Sequence, residues 1–291
     1  MRNTKEMMDL LLDIAENDER IRAVYMNGSR VNKNVPKDIY QDYDIVFVVR
    51  EMAPFLADKA WILHFGNPLI VQEPMRNDLF TGFSDSFPDF SRCYAWLMLF
   101  DDGNRIDLTL EIKEEAVKNF QADTLTLLLL DKDALLPDIP LPNDTIYHIK
   151  EPTENVFSAC CNEFWWCLNN VAKGIARKEF PYAMKMLYGS VLDMLDKLVE
   201  WYIGINTGFT LSTGKMGKYF KDYLSEDLYQ QYLAIYSSAE SAEIWQAVFV
   251  MCDLFHTFAV FVAKERGFFY KQKEEDGSLT YLRKVKDRQY Q

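Results

Sequence analysis

Apolar residues follow two different periods along the chain. Near the N-terminus, residues 7–15 form a stripe at helical spacing, with Thr4 available as the N-cap residue. Short runs rich in β-branched and aromatic residues come next, and they predict strands at 21–26, 43–49, 94–100 and 105–112. The last two runs flank an Asp-Asp-Gly-Asn segment, whose Asp-Gly pair suits a tight hairpin turn. The first half of the chain therefore predicts a mixed sheet with helices.

Prolines interrupt this pattern between residues 137 and 152, in a polar stretch that cannot continue a regular element. Beyond them, helical periodicity dominates and predicts helices at 153–177, 181–205, 215–224 and 241–266. Thr153 is placed to cap the first of these helices, and Pro181 suits the first turn of the second. We therefore predict an α+β domain over residues 1–150 and an α-helical bundle over residues 151–291. The charged tail from residue 271 carries only a weak pattern, and its structure is left open.

Composition narrows the class of protein. The chain has 291 residues, which at roughly 100–200 residues per domain favours two domains. The net charge of −12 repels phosphate backbones and anionic lipids, so we expect no nucleic-acid or membrane partner and favour a polycationic small molecule. Five cysteines without zinc-type spacing indicate reduced thiols in a cytoplasm. The most apolar window, 247–263, carries Asp253 and His256, and we expect a buried helix there.

Two carboxylates at the start of the second strand are the first candidates for chemistry. Asp42 and Asp44 are two residues apart, and alternate residues of a strand project from the same face. Like charges held together are costly without a metal ion or a shared proton. Because the nearby ligands are oxygens, without His or Cys, magnesium fits best. Taken alone, the pair would fit a turn-and-cap arrangement equally well.

Gly28 and Ser29 follow a strand, where a glycine allows close backbone approach and a hydroxyl with neighbouring amides can bind a terminal phosphate. The sequence contains neither a Walker A motif nor G-x-G-x-x-G, which disfavours P-loop and Rossmann folds. Asp107 interrupts an otherwise apolar strand, where its carboxylate could complete a metal site or remove a proton from an acceptor hydroxyl. Ser29 could instead cap a helix, and Arg30 could be a surface charge.

In combination, Gly28-Ser29, Asp42-x-Asp44 and Asp107 resemble the pattern of the nucleotidyltransferase superfamily related to the polymerase β palm. The wider sequence is similar to the aminoglycoside 6-adenylyltransferases, or streptomycin adenylyltransferases, in an ordered series of segments up to about residue 220. These segments include Gln41-Asp42-Tyr43-Asp44-Ile45, Asp107-Leu108-Thr109-Leu110, Leu130-Asp131-Lys132-Asp133 and Cys161-Asn162-Glu163-Phe164-Trp165.

The resemblance implies a nucleotidyltransferase domain, a helical domain and a cleft that binds ATP-magnesium and the antibiotic. It implies transfer of AMP to the 6-hydroxyl of streptomycin, with release of pyrophosphate. The site residues it implies are Asp42 and Asp44 on magnesium, Asp107 as third ligand or general base, and Gly28, Ser29 and Arg30 at the triphosphate. Lys173 is the candidate for a helical-domain lysine on the phosphates, although an exposed helix lysine is commonplace.

Several alternatives stay open at this point. The acidic and aromatic segment 72–92 could be a flap over the acceptor or a solvent-exposed loop. Trp165 and Trp166 are expected to serve core or interdomain packing rather than to form a ligand platform, and Glu163 to meet a guanidinium or a neighbouring helix. The acceptor could be another antibiotic or a protein hydroxyl. A non-catalytic protein that binds a nucleotide or a cation is the third hypothesis, and three costly carboxylates count against it. The sequence leaves the oligomeric state open.

Overall fold

The structure is a computed structural model that describes residues 1–77 and 89–289. The chain divides into two compact units, Met1–Ile146 and Tyr147–Gln291. Most of the proposed flap, residues 78–88 of the segment 72–92, lies outside the described residues.

Six strands form one mixed sheet in the first unit, in the order β3-β4-β5-β2-β1-β6. The pair β2–β5 is parallel and the other neighbouring pairs are antiparallel. The strands are β1 (Ile21–Asn27), β2 (Tyr43–Val49), β3 (Pro68–Gln72), β4 (Cys93–Phe100), β5 (Arg105–Ile112) and β6 (Thr126–Asp131). The four strands predicted from the sequence are confirmed, and β3 and β6 are additional strands at the two edges.

The Asp-Gly turn between β4 and β5 forms the expected hairpin. The N–H of Phe100 donates to the carbonyl of Asn104 at 2.9 Å, and Gly103 adopts a φ of +83°. This hairpin places Asp107 on β5 at a fixed register beside both β4 and β2. The sheet thus sets the position of Asp107 through backbone hydrogen bonds on both sides.

The larger core of this unit lies on one face of the sheet. Helix α1 (Thr4–Asn17) contributes Met7 and Leu11 to it, and β2 contributes Ile45 and Phe47. The sequence suggested Thr4 as the N-cap of α1, but the N-cap is Asn3. Asn3 and Glu6 form a reciprocal capping box that satisfies two backbone N–H groups, and asparagine caps at least as well as threonine.

A smaller core covers part of the opposite face. There Val46 and Val48 of β2 pack with Phe120 of helix α3 (Lys113–Phe120), whose ring meets the Tyr25 ring edge-on at 5.1 Å. In the chain, the short helix α2 (Ala53–Ala57) lies between β2 and β3. Since side chains alternate along a strand, Asp44 projects from the same face as Val46 and lies beyond the end of this smaller core.

The second unit is helical, as predicted. A π-helical turn at Leu187–Val191 interrupts the helix expected at 181–205. Its helices are α4 (Glu154–Ala176), α5 (Phe180–Met186), α6 (Leu192–Thr207), α7 (Phe220–Tyr223), α8 (Glu226–Leu233), α9 (Ser241–Arg266) and α10 (Gln272–Gln289). The Thr153 hydroxyl accepts a hydrogen bond from Val156 N at 3.3 Å and caps α4, as expected.

Helix α9 forms the centre of this unit. Within the described residues it is the helix long and apolar enough to cross a membrane, yet 56% of its most apolar window is buried in the unit. The Phe255 ring stacks on Phe164 of α4 at 3.6 Å between centroids. The expectation of a buried helix at 247–263 is therefore confirmed. All five cysteines are free thiols, and four of them are buried.

Candidate active site

Three carboxylates meet at one end of the sheet. Asp44 on β2 lies in register with Asp107 on the parallel strand β5, so the two are direct neighbours. Asp42 precedes β2 by one residue and shares the face of Asp44. The structure therefore brings together the three aspartates singled out in the sequence.

Arg105 lies between two of these carboxylates. Its Nε and Nη2 each lie 2.7 Å from an oxygen of Asp107, and its Nη1 lies 3.4 Å from Oδ2 of Asp42. Sequence reasoning missed this residue, although its position two residues before Asp107 places both on one face of β5. Among the residues that the structure describes, no three His, Cys, Asp or Glu side chains are grouped so as to hold a metal ion.

Burial and mutual repulsion change the acidity of the site. The pKa of Asp44 is raised to about 6, chiefly by burial and also by the charges of Asp107 and Asp42, while Arg105 and Arg30 act in the opposite direction. Burial also raises the pKa of Asp42, against the opposing effect of Arg105. A further positive charge beside Asp44 would favour its ionised form and lower its pKa, so the electrostatics of these carboxylates favour a cation.

Gly28 forms the corner that faces these carboxylates. Its φ of +79° lies in the left-handed region, and a Cβ at this position would collide with Oδ2 of Asp44. Its N–H donates to the carbonyl of Leu125 at 3.2 Å, which ties the corner to the start of β6. A glycine is therefore required here for both the backbone conformation and the close approach to Asp44.

Arg30 is not a free surface charge. Its guanidinium lies 3.6 Å above the Tyr43 ring and donates to the backbone carbonyls of Asp42 at 3.0 Å and Gln41 at 2.6 Å. The Ser29 hydroxyl accepts a hydrogen bond from the Gln41 amide at 3.2 Å. The alternative role of Ser29 as a helix cap is wrong, because residues 29–31 form a turn and the next helix is α2. Arg30 and Gln41 instead join the Gly28 corner to the Asp42 segment.

Two further residues of this loop escaped the sequence analysis. The Lys37 ammonium donates to the backbone carbonyls of Ser29, Arg30 and Asn32 at 2.9, 2.7 and 2.7 Å. These three hydrogen bonds hold the backbone of the loop in place. Gln41 Oε1 is buried and has no hydrogen-bond partner among the described residues. A buried oxygen without a partner costs roughly 1–3 kcal/mol and is an unused acceptor or cation ligand beside Ser29.

The helical unit contains the remaining candidates, all on α4. Lys173 is half-buried in the last turn of the helix. Trp165 is buried as expected, with Nε1 donating to the Tyr270 hydroxyl at 3.0 Å. Trp166, in contrast, is 68% exposed, so of the two packing roles expected for it, the one in a core is wrong. Glu163 accepts a hydrogen bond from the Cys167 thiol at 3.1 Å, one helical turn further along.

Comparison with known proteins places the chain in a family. The family model described as "Streptomycin adenylyltransferase" matches residues 1–285. The chain belongs to the streptomycin adenylyltransferase family. It is 38% identical to an aminoglycoside 6-adenylyltransferase of Bacillus subtilis (strain 168), over 96% of each chain. It is 37% identical to an aminoglycoside 6-adenylyltransferase of Campylobacter jejuni, over 98% of this chain and 97% of that protein.

A solved structure also resembles this streptomycin adenylyltransferase family member. It is a crystal structure of an aminoglycoside 6-adenyltransferase from Bacillus subtilis, 32% identical, with a TM-score of 0.48 over 98% of this chain and 99% of that chain. The family assignment made from the motifs is confirmed, and the relation covers both units, whereas the quoted motifs reach only to about residue 220. Family membership makes the chain an adenylyltransferase enzyme.

Proposed function

We propose that this enzyme transfers AMP from ATP to the 6-hydroxyl of streptomycin, with magnesium, and releases pyrophosphate. The observation that carries the proposal is the register pair of Asp44 and Asp107 beside the Gly28 corner. Support for the acceptor comes from the name of the family model and from relatives named aminoglycoside 6-adenylyltransferases. The net charge of −12 favours a cationic acceptor, and the reduced thiols and the need for ATP favour the cytoplasm.

The donor set fits a hard divalent cation. Asp42, Asp44 and Asp107 offer carboxylate oxygens, the ligand type that such an ion prefers. We assign Asp42 and Asp44 as the residues that would hold magnesium, with Asp107 as the third ligand or as the base. When bound, the ion supplies charge neutralisation for the leaving pyrophosphate.

The chain's own residues supply positioning and the proton transfer. The Ser29 hydroxyl and the backbone at Gly28 would hold the end of the triphosphate, and Arg30 keeps this corner beside the carboxylates. The acceptor oxygen attacks the α-phosphorus, the bond from that phosphorus to pyrophosphate breaks, and the hydroxyl proton passes to an Asp107 carboxylate oxygen. Lys173 is our candidate for a further positive charge on the phosphates.

The test is pyrophosphate release by the purified protein with ATP and magnesium. Parallel reactions contain streptomycin, spectinomycin, kanamycin or no acceptor, and the Asp42→Asn variant provides the folded control. We expect release that depends on streptomycin and is lost in the variant. Silence with every antibiotic, in protein that still binds ATP, would replace this proposal with another acceptor or a binding function. Retained activity in the variant would remove the assignment of Asp42.

A further inference from the structure

A groove on the helical unit is lined by residues of α4 and α10. Its volume is about 450 Å³, within the range of roughly 300–1,000 Å³ typical of small-molecule sites. The residues that matter for recognition are Asn162, Trp166 and Asn169 on α4, and Glu274, Gly277 and Tyr281 on α10. Every one of them belongs to the unit Tyr147–Gln291.

Two aromatic rings line the groove and remain open to solvent. Trp166 is 68% exposed and Tyr281 is 38% exposed. The adjacent Trp165 is buried in the helical core and contributes to the stability of the fold. The indole of Trp166 is not part of that core. An exposed indole beside a concave surface is a ready platform for a ring or a cation.

Gly277 widens the groove at a cost to its helix. It lies inside α10, where glycine is about 1 kcal/mol less favourable than alanine. No atom lies within 4 Å of the position that a Cβ would take, so neither packing nor backbone conformation requires glycine there. Gly277 is exposed and lines the groove, so the space beside it opens both to the groove and to solvent.

Polar contacts beneath the groove fix its two walls. The Ser278 hydroxyl donates to the backbone carbonyl of Trp165 at 2.9 Å. The Tyr270 hydroxyl accepts from Trp165 Nε1 and donates to the buried carboxylate of Glu275 at 2.7 Å. His256 of α9 lies 2.9 Å from the same carboxylate. The groove is therefore preformed, which reduces the entropy cost of binding.

The chemistry of the lining selects the ligand. Asn162 and Asn169 lie one turn before and after Trp166. Asn169 Nδ2 donates to the Trp166 carbonyl, so the Asn162 amide and Asn169 Oδ1 are the groups that can bond hydroxyls around a ring stacked on the indole. Glu274 is half-buried and adds a carboxylate, whose Oε1 lies 3.4 Å from the Lys271 ammonium, while Lys273 lies exposed at the rim. Aromatic faces, amides and a carboxylate together suit a hydroxylated ring that carries ammonium or guanidinium groups. We propose that this groove binds such an aminated ring of the acceptor antibiotic.

The position of the groove on α4 supports a role in the transfer reaction, and this step rests on the proposed function. Trp166 and Lys173 are seven residues apart, so they share a helix face and are separated by about 10 Å along the axis. A streptomycin molecule seated on Trp166 would therefore be held near the lysine that we assign to the phosphates.

Calorimetry with streptomycin alone, without ATP, measures the groove independently of catalysis. We expect Trp166→Leu to weaken binding about tenfold, the loss of one desolvated cation–aromatic contact. Gly277→Ala should weaken binding a few-fold while raising the melting temperature, since the methyl group stabilises α10 but occupies the groove. Phe269→Leu is the matched control, because Phe269 is 72% exposed in the same unit and does not line the groove.

The two proposals can fail separately. If streptomycin-dependent pyrophosphate release is present and both groove variants keep the wild-type dissociation constant, the groove proposal is wrong and the proposed function stands. If release is absent but streptomycin or kanamycin binds and Trp166→Leu abolishes that binding, the groove is retained and the function is wrong. Failure of the wild-type protein to bind any aminated-ring antibiotic would overturn the groove proposal.

Discussion

Asp44 and Asp107 face each other across the parallel strands β2 and β5. Parallel pairing aligns the two residues at the same end and face of the sheet, so their carboxylates are held together by backbone hydrogen bonds and not by an attraction of their own. The consequence is the pKa of about 6 for Asp44, which burial and the neighbouring Asp107 and Asp42 produce. Keeping these charges adjacent lowers the stability of the fold, which is typical of a functional site.

Asp44→Asn should yield an inactive but more stable protein. At pH 7.5 the wild-type fold must hold a buried charge whose pKa is raised, and the amide removes that cost. We expect the free energy of unfolding to rise by about 1–2 kcal/mol, after allowance for partial solvent screening. Denaturant unfolding of both proteins without magnesium measures this. Asp9→Asn, an exposed substitution on α1, should leave stability within about 0.5 kcal/mol. A destabilised Asp44→Asn would contradict the argument.

Gly28→Ala should damage the phosphate corner specifically. The added methyl group would require an unfavourable backbone conformation and would also collide with Asp44. We expect a loss of roughly 1–3 kcal/mol of stability and at least a tenfold rise in the KM for ATP. Gly208→Ala is the matched control, since Gly208 has a φ of +67° but open space at its Cβ position. The control should share part of the stability loss and keep the KM of the wild type, and equal effects on ATP would refute a special role for Gly28.

Arg105→Gln should make the protein more dependent on divalent cations. Arg105 now supplies the positive charge between Asp107 and Asp42, and its removal leaves like charges together. Because Arg105 is partly exposed, we expect a loss of about 1 kcal/mol at low salt. Addition of magnesium should raise the melting temperature of the variant more than that of the wild type, because the ion and the guanidinium bind the same carboxylates. Thermal unfolding with and without magnesium measures this effect. An equal rise in melting temperature in both proteins would show that magnesium and the guanidinium do not compete.

The sequence predicted those elements whose stabilising pattern is local. Strand β2 is a nearly continuous apolar run, β5 alternates apolar and polar residues, and the Asp-Gly turn marks β4 as the hairpin partner of β5. Strand β3 escaped prediction because it lies at the edge with largely exposed side chains, and β6 because its leucine run lacks alternation. Helix α10 is too polar for periodicity to reveal it, since polar contacts such as Ser278 to Trp165 hold it to α4.

The candidate site was predictable in its three aspartates and in the Gly28-Ser29-Arg30 corner beside them. Asp42, Asp44 and Asp107 have spacing and strand positions that a single sequence displays. The roles of Arg105, Lys37 and Gln41 depend on which backbone carbonyls and carboxylates the loop brings near them, and no local pattern encodes that. Trp166 shows the same limit, because adjacent tryptophans on one helix point to different faces and only the packing decides which ring is buried.

Stability of the helical unit should depend on pH through Asp196. Burial raises the pKa of this α6 carboxyl to about 6, although the Tyr232 hydroxyl, 2.7 Å away, favours its ionised form. The unfolded value is about 3.9, so between pH 4 and 6 the folded state binds more protons than the unfolded state. The free energy of unfolding should therefore fall as pH rises through this window, by about 1–2 kcal/mol, and stay lower above it.

Asp196→Asn should remove the Asp196 share of this slope, leaving the share of Asp44, whose pKa is also raised to about 6. It should stabilise the protein at pH 7.5, because the amide still accepts the Tyr232 hydrogen bond without carrying charge. Tyr232→Phe should act in the opposite sense: loss of the donor disfavours the carboxylate, so the decline extends to higher pH. Glu243→Gln, at an exposed position in the first turn of α9, is the control and should leave the profile unchanged. Denaturant unfolding at half-unit steps from pH 4.5 to 7.5 resolves the three cases. If Asp196→Asn kept the wild-type slope, the titrating group would lie elsewhere in the chain.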